Sequence, residues 1–154
     1  MNGKQIERVV DASVGIKLFV EEPLSERAEA LFGQLAVDLP ARFYVPDLFY
    51  IECTNILWKY VRQFGYSALT AEQDLTDLAA LPLRSVSTAE LMADALQIAL
   101  GYSITAYDAS YIVLSQRLGI PLVTADERLV RKMAASPYAV EWLGKFDIPL
   151  PPSP

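Results

Sequence analysis

Short apolar runs alternate with longer amphipathic stretches from one end of the chain to the other. The short runs are typical of strands buried on both faces, and the longer stretches repeat apolar residues at helical spacing. The pattern predicts strands at residues 6–11, 43–45, 83–86, 120–123 and 140–143. It predicts helices at residues 13–19, 23–35, 47–64, 70–81, 87–101, 105–118 and 126–134. Because strands separated by helices favour right-handed crossovers, the sequence predicts a three-layer α/β/α sandwich with a mainly parallel sheet.

Capping residues mark the predicted ends of several helices. Ser13 and Asp47 are placed to act as N-caps, since their side chains can accept hydrogen bonds from the free amides of a first turn. Gly65 and Gly119 are predicted to end their helices, because glycine readily adopts the left-handed conformation found there. Three further helices are predicted to begin with capping boxes, at Thr70, Ser87 and Thr105.

Four acidic residues lie in or beside apolar segments of this pattern, namely Asp11, Glu52, Asp108 and Asp126. Carboxylates in apolar surroundings carry a high desolvation cost unless they are paired, protonated or bound to a metal. No lysine or arginine is adjacent in sequence to the first three. A shared divalent cation, which prefers oxygen ligands, therefore explains the set better than four separate causes.

The predicted topology places these acids on one edge of the sheet. Asp11 and Asp126 follow strands, and Asp108 begins a helix, so all three lie where parallel sheets bind ligands. Glu52 lies one turn into its helix and can reach the same edge. The other three positions also have a structural explanation, whereas Glu52 does not. Asp11 could be a turn residue, and Asp108 and Asp126 could be ordinary acids in the first turn of a helix.

Composition removes several kinds of chemistry. The chain has 154 residues, no histidine and one cysteine, Cys53. Serine–histidine and cysteine–histidine catalytic pairs are therefore excluded, as is a zinc site of histidines or thiolates. The net charge of −6 argues against a nucleic-acid partner, although bound cations and local basic groups would reverse the field near the acids. Residues 1–5 lack the apolar segment of a signal peptide, so we expect a cytoplasmic protein.

Four segments carry a resemblance to a known family: residues 9–13, 52–55, 107–111 and 122–126. They resemble the motifs of the PIN-domain family, and most closely those of the toxin ribonucleases of VapBC toxin–antitoxin pairs. The likeness extends from about Ile6 to Leu143, with the motifs in the family's order. It implies a single PIN-like domain over residues 1–148, followed by an extended Pro-rich tail over residues 149–154.

The resemblance also implies a role for individual residues. The four acids match the family's catalytic quartet, which binds Mg²⁺ or Mn²⁺. The supporting positions are two hydroxyls near the metal or scissile phosphate and a polar residue one turn beyond the glutamate, which here are Ser13, Thr124 and Asn55. The implied function is a metal-dependent endoribonuclease that uses metal-activated water, the toxin of a type II toxin–antitoxin pair. Its partners would be an RNA substrate, a cognate antitoxin and a second copy of the chain, with no membrane.

Two other functions compete with this interpretation. One is a PIN-like module that binds RNA or a protein without cleaving. The other is a phosphatase with an aspartate nucleophile, since Asp11 follows the first strand. That chemistry usually needs a second acid two positions on, where this chain has Ser13. The sequence leaves open whether one metal ion binds or two.

Partner surfaces are less well defined by the sequence. The helix at residues 47–64 and the second helix, with Leu31 and Phe32, are candidate interfaces. Three basic residues closely follow Asp126, namely Arg128, Arg131 and Lys132. Such residues more often form a solvated helix face than a set of phosphate contacts.

Overall fold

A computed structural model describes residues 5–146 of the chain. Five strands lie within them: β1 (Glu7–Val10), β2 (Arg42–Pro46), β3 (Arg84–Val86), β4 (Leu122–Thr124) and β5 (Val140–Trp142). The α-helices there are α1 (Ala12–Gly15), α2 (Ser25–Gly33), α3 (Leu48–Phe64), α4 (Ala68–Ala80), α5 (Met92–Tyr102), α6 (Ala106–Leu118) and α7 (Glu127–Met133). The tail predicted at residues 149–154 lies outside the described residues, as does the predicted end of the domain at residue 148.

The strands form one parallel sheet in the order β3-β2-β1-β4-β5. Val9 of β1 pairs with Tyr44 of β2 on one side and with Leu122 of β4 on the other. Helix α6 packs on β1 and β2, while α7 packs on β4 and β5. The predicted α/β/α sandwich with a parallel sheet is therefore confirmed.

The centre of the sheet is fully buried, which explains why its strands contain continuous apolar runs. Val9, Val10, Phe43, Leu122 and Val123 all have no exposed surface. Burying a side chain of this size contributes about 1.5–3 kcal/mol, so these residues fix the alignment of β1 with β2 and β4. That alignment sets where the carboxyl ends of β1 and β4 lie.

Helix α6 is buried along most of its length rather than along one stripe. Every residue from Ala109 to Ser115 is buried, because α6 lies against both the sheet and α5. Its N-terminus is capped as predicted, since the Thr105 hydroxyl accepts a hydrogen bond from the Asp108 amide at 3.1 Å. Asp108 thus begins a helix that the core holds rigidly. Within residues 5–146, none of the helices is both long and apolar enough to cross a membrane.

Some predicted caps were wrong. Asp11 rather than Ser13 caps α1, because its extended backbone lets its carboxylate accept the Ser13 amide. Ser67 rather than Thr70 caps α4, and its hydroxyl accepts the Thr70 amide. Asp47 occupies the N-cap position of α3 but makes no side-chain cap bond, since its carboxylate instead accepts the Thr88 amide. The segment from Ser87 begins with a 3-10 turn, Thr88–Glu90, and α5 starts only at Met92.

One glycine allows the first helix to lie close to the third. A Cβ added to Gly15 would lie 2.6 Å from Phe49 Cζ, inside any tolerated contact. Phe49 has no exposed surface, so it has little room to move aside. Gly15 therefore permits the close approach of α1 and α3, the elements that carry Ser13 and Glu52.

Candidate metal centre

The sheet order reverses between β1 and β4, and the predicted acids gather beyond that point. β1 and β4 are neighbours paired through Val10 and Val123, yet they are far apart in sequence. The chain leaves β1 at Asp11 and leaves β4 towards Asp126. Parallel sheets bind ligands at such switch points, beyond the carboxyl ends of the strands.

Asp11 is the most buried of the four acids, with 6% of its surface exposed. Its Oδ1 atom accepts hydrogen bonds from the Ser13 amide, at 2.9 Å, and from the Ser13 hydroxyl. Burial raises the pKa of Asp11 to about 6, and the side chains of Ser13 and Thr124 offset part of that increase. The negative charge of Asp108 raises the pKa further. The site therefore disfavours a lone charge at Asp11.

Hydroxyl groups tie the ends of β1 and β4 together. The Ser13 hydroxyl accepts a hydrogen bond from the Ala125 amide at 3.0 Å and lies 3.4 Å from the Thr124 hydroxyl. The Thr124 hydroxyl in turn accepts the Asp126 amide at 3.1 Å, and Thr124 has no exposed surface. Ser13 and Thr124 thus lie beside Asp11 and Asp126, and their supporting role at a metal stays a prediction. They hold the backbone that carries Asp11 and Asp126.

Glu52 reaches the site from α3 and is held there by a residue that was not predicted to belong to it. The buried Tyr111 hydroxyl donates a hydrogen bond to Glu52 Oε1 at 2.7 Å. Burial raises the pKa of Glu52, the Tyr111 hydrogen bond opposes that rise, and the charges of Asp11 and Asp108 add to it. Burial and the Glu52 charge also raise the pKa of Tyr111, so its hydroxyl stays protonated and remains a donor.

Asp108 and Asp126 are the other two acids of the set, and both lie at the capped start of a helix. The half-buried Asp108 has a raised pKa, caused first by burial and then by the charge of Asp126. Asp126 is exposed and caps α7, because its Oδ1 atom accepts the amides of Arg128 and Leu129 at 3.0 and 3.2 Å. The capping explanations considered from sequence are therefore present, and they coexist with an Asp108 carboxylate near enough to Asp126 and Asp11 for their charges to interact.

Asn55 is placed apart from the other predicted residues. It is exposed on α3 and lines a shallow surface groove with Ile51, Thr54 and Trp58. The groove does not include any of the four acids. A supporting role for Asn55 stays a prediction.

The donor set suits a hard divalent cation. None of the ion pairs among residues 5–146 involves any of the four acids, although nearby acid charges add to the raised pKa values of Asp11, Glu52 and Asp108. Carboxylate oxygens without cationic partners are the ligands that Mg²⁺ and Mn²⁺ prefer. In the described residues, however, no three acidic or cysteine side chains are grouped tightly enough to hold an ion together. Hydrogen bonds to Ser13, to Tyr111 and within α7 direct these side chains to separate partners.

Comparison with known proteins gives a consistent assignment. The family model of the PIN domain matches residues 8–135, which include all four acids. The chain is 36% identical over 129 residues to a ribonuclease, VapC3 of Pyrobaculum aerophilum, covering 82% of this chain and 95% of that protein.

Solved structures share the fold at lower sequence identity. PAE2754 from Pyrobaculum aerophilum has a TM-score of 0.62 at 24% identity, covering 88% of this chain and 83% of its own. VapBC2 from Rickettsia felis, solved bound to a promoter DNA fragment, has a TM-score of 0.61 at 10% identity, covering 89% and 98%. At these identities the two structures support the fold alone.

The raised pKa of Asp11 predicts that the metal-free protein loses stability as pH rises. The pKa of Asp11 is about 6 in the folded chain against an ordinary value of 3.8, so the folded state binds more protons between these limits. The free energy of unfolding should therefore fall as pH rises from about 4 to about 6, and remain lower above that range. The two-unit difference corresponds to about 3 kcal/mol from Asp11 alone.

Urea unfolding in chelator, from about pH 4 to pH 8, measures this effect. The Asp11→Asn variant keeps the Oδ1 cap acceptor and should be more stable than the parent near pH 8, with a flatter pH profile. The exposed Asp77→Asn variant is the control and should follow the parent profile. Parallel profiles for Asp11→Asn and the parent would contradict a buried, unpaired carboxylate.

A second prediction concerns the Tyr111 hydrogen bond. Residues that support metal ligands typically contribute about 10- to 100-fold to metal affinity. Tyr111→Phe should therefore weaken Mn²⁺ binding by about tenfold or more in calorimetric titration. Tyr66→Phe is a matched control, because Tyr66 also donates its hydroxyl to a buried carboxylate, Asp74, away from the site. Equal Mn²⁺ affinities in the two variants would show that Tyr111 only stabilises the fold.

Proposed function

The chain belongs to the PIN-domain family, and from that membership we propose that it is a metal-dependent endoribonuclease, the toxin of a type II toxin–antitoxin pair. The observation that carries the proposal is that four carboxylates lie at the sheet's switch point and that none of them belongs to an ion pair among residues 5–146. Similarity to a ribonuclease over most of both chains supports the choice of RNA as substrate. We also propose a cytoplasmic location, where a cell's own RNA would be the substrate.

Asp11, Asp108, Asp126 and Glu52 would hold Mg²⁺ or Mn²⁺, the cofactor that we propose. When bound, the cation supplies Lewis acidity, which lowers the pKa of water in the site and neutralises charge on the scissile phosphate. Tyr111 holds Glu52 by one oxygen, so the other oxygen can orient an attacking water and accept its proton. Ser13 and Thr124 keep Asp11 and Asp126 in register across the two strands. Attack by water leaves a 5′-phosphate and a 3′-hydroxyl.

One observation favours the alternative of a PIN-like module that binds RNA or protein without cleaving. No three of the described acids are grouped tightly enough to hold an ion, so metal binding requires these side chains to reorient. The raised pKa values of Asp11 and Asp108 show that burial and the charges of neighbouring acids destabilise their ionised forms. Turning these side chains towards a bound cation would relieve that cost. A cation that attracts all four would remove that repulsion, and we therefore prefer the nuclease.

Cleavage of total RNA by purified, antitoxin-free protein tests the proposal. Discrete cuts are expected with Mg²⁺ or Mn²⁺ and none with chelator. Asp11→Asn and Asp108→Asn should each lower the cleavage rate by at least about a hundredfold, the upper range for residues that only support metal ligands. Glu127→Gln removes a neighbouring exposed charge on α7 and should cleave like the parent. Cuts that persist in chelator, or that end in a cyclic phosphate, would contradict this mechanism.

We also propose an antitoxin and a second copy of the chain as protein partners. Solved relatives of the same fold include toxin–antitoxin complexes, which supports the first partner. An adjacent small reading frame in the genome would strengthen it, and a gene with no such neighbour would count against it. The second helix is not the partner surface that the sequence suggested, because Leu31 and Phe32 are buried in the core.

A stripe of three exposed residues on α5 supports the homodimer. Met92, Leu96 and Leu100 are spaced by four residues, so they share one face, and each is more than half exposed. Leu96→Glu should convert a dimer to a monomer in sedimentation equilibrium. Leu69→Glu, at an isolated exposed site on α4, should leave the dimer intact. A monomeric parent protein would rule the dimer out.

A further inference from the structure

A small polar cavity lies directly beside two of the four acids. It has a volume of about 230 Å³ and is lined by Asp108 and Asp126, by Arg128 and Lys132 of α7, and by the Ser103–Thr105 turn. Pockets for drug-sized ligands usually measure about 300–1,000 Å³, so this cavity is smaller than those and has room for a small polar group. Its size and polarity fit one phosphate of a chain that extends beyond it.

The two basic residues face the cavity because of their helical spacing. Arg128 and Lys132 are four positions apart on α7 and therefore share a face, whereas Arg131 does not line the cavity. None of the ion pairs among residues 5–146 involves Arg128. The guanidinium of Arg128 is exposed, and a planar fork of donors is well suited to a phosphate.

Lys132 is fixed at the rim of the cavity by its contact with the α5–α6 turn. Its ammonium group donates to the Ser103 carbonyl at 2.8 Å, and its charge lowers the pKa of Asp108. Ser103 has a positive φ of 55°, and this contact helps to hold the turn. An ammonium group has three donors, so one bond to Ser103 leaves two for a ligand.

The charges around the cavity imply that it attracts an anion only when the neighbouring metal site is occupied. The two acids and the two bases cancel, so the cavity is neutral when the carboxylates are ionised. A divalent cation held by those same carboxylates would leave it with a net positive charge. The protein has a net charge of −6, so it would attract RNA at this cavity through the combined positive charge of the bound cation, Arg128 and Lys132.

We propose that Arg128 and Lys132 form a phosphate subsite that binds the RNA backbone next to the scissile phosphate. The inference rests on the proposed nuclease function and names the residues that position its substrate. Phosphate contacts of this kind carry no sequence information, so the subsite sets affinity and register rather than the choice of target. Arg131, on the same helix but outside the cavity, has no part in it.

Binding of a short fluorescein-labelled single-stranded RNA of mixed sequence tests the subsite. Fluorescence anisotropy is measured in Ca²⁺ over a range of salt concentrations, with a gel to select conditions in which the probe stays intact. Arg128→Gln and Lys132→Gln should each weaken binding by about three- to tenfold. Each should also reduce the dependence of log affinity on log salt by roughly one phosphate contact. Arg131→Gln makes the same change in charge and should stay within about twofold of the parent.

The controls separate this subsite from a general charge effect and from a folding defect. Lys132→Arg keeps the charge and should restore most of the affinity lost in Lys132→Gln. If Arg131→Gln weakens binding as much as Arg128→Gln, or if Arg128→Gln has no effect, the subsite is wrong.

Cleavage assays on the same variants distinguish failure of the subsite from failure of the nuclease assignment. RNA binding that depends on Arg128 but not on Arg131, in a protein that cuts no RNA, would support the subsite and remove the nuclease. The opposite result is a parent protein that cuts RNA while Arg128→Gln and Arg131→Gln cut and bind RNA equally well. That result would support the nuclease and contradict the subsite.

Discussion

Burial of the Asp11 carboxylate, which forms no ion pair within residues 5–146, is the constraint on which the rest of the site depends. The parallel sheet places this residue at the end of a fully buried strand, beside the end of another, so water cannot solvate it well. Desolvation and the nearby Asp108 together raise its pKa to about 6. Burying a carboxylate in this way costs stability, so we expect it to serve a function. Carboxylate oxygens are ligands that divalent cations prefer.

The surrounding hydrogen bonds show how the fold tolerates these charges. Ser13 holds Asp11, Tyr111 holds Glu52, and the first turn of α7 holds Asp126. Each of these three acids therefore has a local partner that keeps it in place before any cation is present. The arrangement prepares the site but leaves the carboxylates repelling one another. Metal binding and folding stability should thus be coupled, since a ligand that prefers the folded state stabilises it.

Much of this site could be predicted from sequence because the order of strands and helices, rather than the packing of particular side chains, brings its acids together. An acid after each of two parallel strands and one at a helix start must share an edge, and the structure places Asp11, Asp126 and Asp108 there. Tyr111 could not be assigned to Glu52 in the same way, because the two lie 59 positions apart and meet only through packing of α6 near α3. Burial also decided against Leu31 and Phe32 as a partner surface, since an apolar helical face looks alike in a core and in an interface.

The central claim is that the four carboxylates, three of them held by separate hydrogen bonds, converge on one divalent cation. A crystal structure grown with Mn²⁺ tests it most directly. The account predicts an anomalous peak bounded by Asp11, Asp108 and Asp126, with Glu52 close by and these side chains turned towards it. An ordered site without such a peak at saturating Mn²⁺, or an ion bound only elsewhere on the chain, would contradict it.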